Sequence, residues 1–182
     1  MIMLHPLDIF THCPVCGSPR FEVHNFKSKQ CGACGFTYYA NPCSATAAFI
    51  LRGDDLLVVR RAKEPAKGTL DLPGGFVDMG ETAEEGMRRE IKEETGLDVA
   101  QLHYLFSSPN VYMYSGMGVH TLDMDYMVRV APDVQVRAAD DAAECLWIPL
   151  REVCPADFGL TSIRNAVIRF LDEKPYLNPL PE

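Results

Sequence analysis

Acidic side chains are concentrated between residues 78 and 94, where they outnumber the basic ones. Glu93 and Glu94 follow Glu90 by three and four residues, which places the three carboxylates on one face of a helix. Carboxylates on one face repel each other unless a cation lies among them, and Mg²⁺ and Mn²⁺ prefer such oxygen ligands. The spacing therefore predicts a divalent-metal site, and the alternative is a solvated acidic helix with ion pairs between its turns.

A helix is needed to hold these side chains, and the sequence marks both of its ends. Thr82 followed three residues later by Glu85 forms a capping box, and Gly96 suits a left-handed C-cap. Arg89 lies beside the acidic face, where we expect it to hold Glu93, or Glu85 one turn back, in a fixed rotamer. The sequence thus predicts one helix between Thr82 and Gly96 that carries the acidic face.

Two glycines precede the acidic stretch. Gly75, next to Gly74, leaves its backbone carbonyl free to approach a metal where a side chain would obstruct it. From Gly75 to Leu97 the residues fit the pattern Gly-x5-Glu-x7-Arg-Glu-aliphatic-x-Glu-Glu-x-Gly-aliphatic at every fixed position. This stretch resembles the Nudix box, the signature of Nudix hydrolases, which use a divalent metal to cleave a diphosphate linkage between a nucleoside and another group.

The resemblance implies a role for each matching residue. The implied ligands of Mg²⁺ or Mn²⁺ are the Gly75 carbonyl and the three glutamates of the acidic face. Arg89 matches the orienting arginine of the family, and Glu81 matches the earlier glutamate of its motif. The sequence therefore predicts a metal-dependent pyrophosphohydrolase.

A proton acceptor for the attacking water is also expected. Family members often place a further catalytic carboxylate outside the box, and Glu144 is the candidate here, followed by Asp140 and Asp141. The sequence does not distinguish which of Glu90, Glu93 and Glu144 accepts the proton.

Candidate substrate contacts lie on both sides of the box. Arg60 and Arg61 follow a predicted strand and are suited to phosphate oxygens, with plain surface charge as the alternative. Residues 107–115 resemble the Ser-Gln-Pro-Trp-Pro-Phe-Pro-x-Ser segment of Nudix NADH pyrophosphatases, but keep the two serines, the first proline and an aromatic residue at Tyr112 without the tryptophan. NADH and ADP-ribose therefore stay alternative substrates, and Tyr112 either stacks on a base or packs in the core.

A second metal site is predicted near the N-terminus. Four cysteines form the pattern Cys-x2-Cys-x14-Cys-x2-Cys, which is typical of tetrahedral Zn²⁺. They are Cys13, Cys16, Cys31 and Cys34. Two disulfides or a redox-active pair are the alternatives. Because four sulfurs leave no open coordination position, such a zinc is structural, and the segment resembles the zinc ribbon of some Nudix enzymes.

The remaining patterns predict two domains. Residues 1–42 form the β-rich zinc ribbon, in which residues 21–26 and 36–39 are strands, and residues 43–182 form the Nudix hydrolase domain. A hairpin over residues 43–61 and a final helix that Thr161 caps complete the second domain. With a helix on each side of mixed strands, the predicted class is α/β with an α/β/α sandwich, as the Nudix resemblance also implies.

Composition limits the partners. A chain of 182 residues with a net charge of −8 is poorly suited to non-specific nucleic-acid binding, although nicotinamide-capped RNA stays an alternative substrate. The N-terminus lacks a basic region followed by an apolar run, so we expect a cytoplasmic protein without a membrane partner. The expected partner is a small nucleotide, and a homodimer is an allowed assembly. The alternative function is a non-catalytic nucleotide sensor whose ribbon binds protein or nucleic acid.

Overall fold

The computed structural model describes residues 5–139 and 142–178. It divides into two compact units, of which the first comprises Met1–Cys43 with Pro109–Thr121 and the second comprises Ser44–Ser108 with Leu122–Glu182. The domain limit at residue 42 stays a prediction. Within the described ranges, no helix has the length and apolar character needed to cross a bilayer.

The first unit contains a three-stranded antiparallel sheet. Its strands are β1 (Phe21–Asn25), β2 (Ser28–Cys31) and β3 (Thr37–Tyr39), in the order β1-β2-β3. Both predicted strands are present, and β2 was not predicted because its residues, Ser-Lys-Gln-Cys, lack strand propensity. The small core of this unit consists of Cys13, Phe21 and Cys31, with Phe36 packed against them.

The larger sheet has seven strands in the order β10-β5-β4-β9-β8, with β6 paired to β5 and β7 paired to β4. The strands are β4 (Cys43–Arg52), β5 (Asp55–Arg61), β6 (Leu70–Asp71), β7 (Gly74–Phe76), β8 (His103–Tyr114), β9 (Met117–Arg129) and β10 (Ala142–Pro149). The helices are α1 (Ala83–Thr95) and α2 (Thr161–Glu173). The predicted hairpin is therefore confirmed as β4 and β5.

The two helices pack on opposite faces of the second unit's sheet. Successive side chains of β4 point to opposite faces, and they contact different helices. Phe49 stacks on Phe170 of α2 with ring centroids 4.0 Å apart. Ile50, the next residue of β4, packs in a cluster with Met87 and Ile91 of α1. The predicted α/β fold with a helix layer on each side is confirmed.

Several local expectations were wrong. Leu160, not Thr161, is the N-cap of α2, and it makes no side-chain capping bond. Residues 107–115 also resemble a loop of ADP-ribose-type Nudix hydrolases, but residues 107–114 continue strand β8. Free cysteines usually pack as small hydrophobic residues, which predicts buried positions for the other three cysteines. Instead, Cys43 and Cys154 are exposed, and Cys145 is half-buried.

In the alternating sequence of residues 120–130, Asp125 falls on the polar side, which predicts a solvated side chain. In the structure it is 2% exposed on β9. Strand alternation assigned its side chain to the polar face, and that face is covered in the folded chain. Burial raises the pKa of Asp125 to about 7, with a further rise from Asp123 and an opposing effect of Arg169. Between about pH 4 and pH 7 the folded chain therefore holds a proton that the unfolded chain has released, so stability falls as pH rises through this window.

Replacing Asp125 with Asn should remove the loss of stability between about pH 4 and pH 7. At about 1.4 kcal/mol per pH unit, the wild-type loss amounts to roughly 4 kcal/mol between pH 4 and 7. Urea unfolding at a series of pH values measures it, with Asp133→Asn as the control because Asp133 is exposed. An equal pH dependence in Asp125→Asn and wild type would contradict the assignment.

Candidate active site

Helix α1 is held at both ends by the predicted caps. The Thr82 hydroxyl accepts a hydrogen bond from the Glu85 N–H at 3.2 Å, and the Glu85 carboxylate accepts one from the Thr82 N–H at 2.8 Å. Hydrogen bonds to the Glu85 carboxylate from the Thr82 N–H and then from the Thr82 side chain lower its pKa. Gly96 adopts the left-handed conformation, with φ 76°, and its N–H donates to Lys92. The predicted helix limits are confirmed, so the spacing of the three glutamates is helical as expected.

The three glutamates differ in their exposure. Glu94 is 7% exposed, and its carboxylate accepts a hydrogen bond from the Gly74 N–H at 3.1 Å. The side chain of Glu90 is 14% exposed, and that of Glu93 is 45% exposed. The acidic face thus runs from the edge of β7 to the surface of the molecule, with one carboxylate fixed by backbone and one open to solvent.

Arg89 lies at the centre of this acidic group. Its guanidinium donates to Glu81 at 2.8 Å, to Glu90 at 2.7 Å and to Glu93 at 3.1 Å. A further bond reaches the Phe76 carbonyl at 2.9 Å. Arg89 was expected to fix the rotamer of Glu93 or Glu85. It bonds to Glu93, whereas the Glu85 carboxylate caps the helix.

The charges of this group reinforce each other. Hydrogen bonds from Arg89 and then from the Asp78 N–H lower the pKa of Glu81. Hydrogen bonds to Glu81 and Glu90 raise the pKa of Arg89 further above its ordinary value. Both groups are therefore ionised at neutral pH, and one guanidinium orients several carboxylates toward the same region.

The glycine pair lets the backbone approach these carboxylates closely. A Cβ atom on Gly75 would lie 2.5 Å from a Glu90 carboxylate oxygen, and one on Gly74 would lie 2.2 Å from the Thr46 carbonyl oxygen. A side chain at Gly74 would collide with the backbone of β4, and one at Gly75 would displace the Glu90 carboxylate. The carboxylates of Glu90 and Glu94 lie beside this backbone without Cβ atoms. Oxygen donors of this kind are those that Mg²⁺ and Mn²⁺ prefer, so the chemistry of the residues present fits the predicted metal.

Two backbone groups of this site were missed by sequence reasoning. They are the Gly74 N–H, which holds Glu94, and the Phe76 carbonyl, which holds Arg89. Every residue carries such groups, so no residue pattern signals their use.

Arg60 and Glu144 pair with each other. The Arg60 guanidinium donates to the Glu144 carboxylate at 3.1 Å and to the Gly68 carbonyl at 3.0 Å. Cys145, the neighbour of Glu144 on β10, donates to the Glu94 carbonyl at 3.8 Å. Glu144 therefore lies on strand β10, which contacts the C-terminal end of α1 through Cys145. Asp140 and Asp141, the other candidates, lie outside the described residues.

Arg61 is engaged in a different contact. Its guanidinium forms an ion pair with Asp71 and donates to the Pro65 carbonyl at 2.7 Å. Burial raises the pKa of Asp71, and the bond from Arg61 opposes that rise. These partners orient Arg61 toward the half-buried loop after β5, so its phosphate contact stays a prediction without support from this geometry.

Tyr112 belongs to the first unit, where its ring stacks against that of Tyr114. The ring centroids lie 6.4 Å apart and the planes differ by 19°. Both residues lie in strand β8 and not in a loop. Base stacking by Tyr112 stays a prediction.

The four cysteines form one cluster in the first unit. All four sulfur atoms lie within 4.8 Å of one another, and those of Cys13 and Cys34, like those of Cys16 and Cys31, are 3.7 Å apart. A disulfide needs about 2.05 Å. A tetrahedral site with bonds of about 2.3 Å has sulfur atoms about 3.8 Å apart, so the cluster fits zinc. Backbone N–H groups of Cys34 and Ala33 lower the pKa of Cys31 to about 6, whereas hydrogen bonds with the neighbouring thiols raise the pKa of Cys34 to about 12.

Comparisons with known proteins identify relatives of this chain. The NUDIX domain family matches residues 42–170. The "ADP-ribose pyrophosphatase" of Methanocaldococcus jannaschii is 35% identical over 137 residues, which are 74% of this chain and 78% of that protein. The "NAD-capped RNA hydrolase NudC" of Vibrio atlanticus is 33% identical over 115 residues, which are 62% of this chain and 42% of that protein. This chain thus matches less than half the length of the NudC relative.

A crystal structure of a NUDIX hydrolase from Nitrosomonas europaea has the same fold, with a TM-score of 0.68 at 20% identity, and the match covers 94% of this chain and 96% of that one. At that identity the likeness concerns the fold alone. The family match spans most of the chain and includes every residue of the acidic site. The chain belongs to the Nudix hydrolase family.

Proposed function

We propose that this protein hydrolyses the pyrophosphate bond of a nucleoside diphosphate linked to another group, such as ADP-ribose or a dinucleotide like NADH. The observation that carries the proposal is the acidic group beside the glycine pair: Arg89 bonds to Glu90 and Glu93, and a Cβ on Gly75 would collide with the Glu90 carboxylate. The names of the relatives support the substrate class, since one is an ADP-ribose pyrophosphatase and another acts on NAD-capped RNA.

Nudix enzymes generally use Mg²⁺ or Mn²⁺, and the residues that would hold the ion here are Glu90, Glu93, Glu94 and the Gly75 carbonyl. When bound there, the ion would neutralise charge on the diphosphate oxygens and lower the pKa of a water molecule. Without a cation, the group keeps Arg89 as its compensating charge.

The residues of the chain have separate tasks in this reaction. Arg89 holds Glu90 and Glu93 in position, and the Gly74 N–H holds Glu94. A carboxylate takes a proton from a water molecule as the water oxygen bonds to one phosphorus. The bond from that phosphorus to the bridging oxygen breaks, and the bridging oxygen leaves with the other phosphate. The proton acceptor is Glu90, Glu93 or Glu144, and single Gln variants compared by their pH–rate profiles would identify it.

Two other functions remain as defined alternatives. Hydrolysis of nicotinamide-capped RNA uses the same chemistry, and the NudC relative favours it. A non-catalytic nucleotide sensor would keep the fold and bind nucleotide without turnover. The intact set of carboxylates around Arg89 favours an enzyme over a sensor.

A hydrolysis panel distinguishes these functions. We expect Mg²⁺-dependent release of phosphomonoesters from ADP-ribose or NADH, and less from nucleoside triphosphates, nucleotide sugars, coenzyme A and dinucleoside polyphosphates. Capped RNA tested beside the free dinucleotide separates the RNA substrate. Tight binding of a nucleotide with no turnover of any compound would instead establish the sensor.

A further inference from the structure

A buried hydroxyl group lies beside the acidic site without a hydrogen-bond partner. Thr46 of β4 is 3% exposed, and among the described residues nothing bonds to its Oγ1 atom. Sequence reasoning missed this residue, one of two hydroxyl side chains, with Ser44, in a strand of mostly small and apolar residues. A buried polar group without a partner lowers stability, and a native structure that keeps one calls for a reason.

Strand alternation determines the direction of the Thr46 side chain. Phe49 and Leu51 of β4 face α2, whereas Ala48 and Ile50 face α1. Thr46 shares the parity of Ala48 and Ile50, so its hydroxyl lies on the side of the sheet that carries α1.

The register of the sheet brings this hydroxyl close to Glu90. Thr46 is the antiparallel partner of Gly75, and directly opposed residues have Cβ positions about 4.5–5.5 Å apart on the same face. The Cβ direction of Gly75 meets the Glu90 carboxylate, whose atoms would lie 2.5–2.9 Å from that Cβ. The Thr46 side chain and the Glu90 carboxylate therefore occupy the same small region between β7 and α1.

We propose that Thr46 is a positioning residue for the divalent ion, and that in the loaded site its hydroxyl donates a hydrogen bond to the Glu90 carboxylate. A carboxylate accepts at about four lone-pair sites, so Glu90 can accept from Arg89 and Thr46 and still bind a cation. The inference rests on the proposed function, because it requires the metal that this function uses. Thr46 would then restrict the orientation of one ligand from the sheet, as Arg89 does from the helix.

Thr46→Val tests this role, because valine keeps the shape and removes the hydroxyl. We expect Mn²⁺ to bind about tenfold more weakly, at the lower end of the effect of removing a partner that orients a metal ligand. Electron paramagnetic resonance of free Mn²⁺ during titration of the full chain, without substrate, measures the affinity independently of activity. Thermal unfolding without metal should be unchanged or slightly improved, since a buried group without a partner is removed.

Three further variants make the test specific. Thr46→Ser keeps the hydroxyl and should bind Mn²⁺ like the wild type, whereas Thr46→Ala should bind as weakly as Thr46→Val and replaces it if valine prevents folding. Ser28→Ala removes the buried, unpartnered hydroxyl of β2 in the other unit and should leave the affinity unchanged.

The outcomes separate this inference from the function on which it rests. Wild-type affinity in both the Val and Ala variants, or equal weakening in the Ser variant, would overturn the role of the hydroxyl while leaving the proposed function intact. A wild-type chain that does not bind Mn²⁺ at all would overturn both.

Discussion

Replacing Glu94 with Gln should lower Mg²⁺-dependent hydrolysis by at least about 10²-fold, the upper effect of removing a residue that only orients a ligand. Glu94 is the most buried of the three glutamates, and the Gly74 N–H fixes its carboxylate. Glutamine keeps the size of the side chain but loses the charge that attracts the cation. Steady-state kinetics at several Mg²⁺ concentrations, with ADP-ribose as substrate, measure the loss.

The matched control for this variant is Glu84→Gln. Glu84 lies on the same helix and loses the same charge, but it is exposed and its oxygen accepts from the Tyr126 hydroxyl at 3.4 Å, which an amide oxygen can also do. We expect its activity to stay within about threefold of the wild type, since exposed substitutions have small effects. Equal activity of Glu94→Gln and Glu84→Gln would refute the metal site.

Replacing Cys31 with Ser should remove zinc and unfold the ribbon. In the described part of this unit, the hydrophobic cluster around the cysteines has three buried residues with one more packed against it. Zinc binding contributes about 10–16 kcal/mol in such small modules. Elemental analysis should give one zinc per chain for the wild type and almost none for the variant. Limited proteolysis should then cleave the variant between residues 13 and 43.

Cys43→Ser is the control for the zinc experiment. Cys43 is a cysteine outside the cluster, and it is exposed, so its replacement should leave zinc content and protease resistance unchanged. A wild-type chain without zinc, or a Cys31→Ser variant that keeps it, would contradict a structural zinc site.

The sequence predicted the features whose causes are local. The limits of α1 follow from Thr82, Glu85 and Gly96, which lie within or next to the helix that they define. The hairpin of β4 and β5 follows from a Gly-Asp turn between apolar runs, and the four-cysteine cluster follows from its spacing. Each of these depends on residues that are near in sequence, so a pattern was sufficient.

The features that were missed depend on contacts between distant residues. The pairing of Thr46 with Gly75 joins strands 29 positions apart, and no local pattern fixes that register. Asp125 follows the alternation of a half-solvated strand, yet both faces of β9 are covered where it lies. The roles of Arg60 and Arg61 likewise depended on Glu144 and Asp71, which only the folded chain brings to them.

The central claim is that the acidic face of α1 holds a divalent ion against a pyrophosphate, and anomalous diffraction tests it most directly. Crystals grown with Mn²⁺ and a non-hydrolysable ADP-ribose analogue should show a manganese peak bounded by Glu90, Glu93, Glu94 and the Gly75 carbonyl, in contact with the diphosphate. A bound analogue with no manganese peak at these carboxylates would contradict the account.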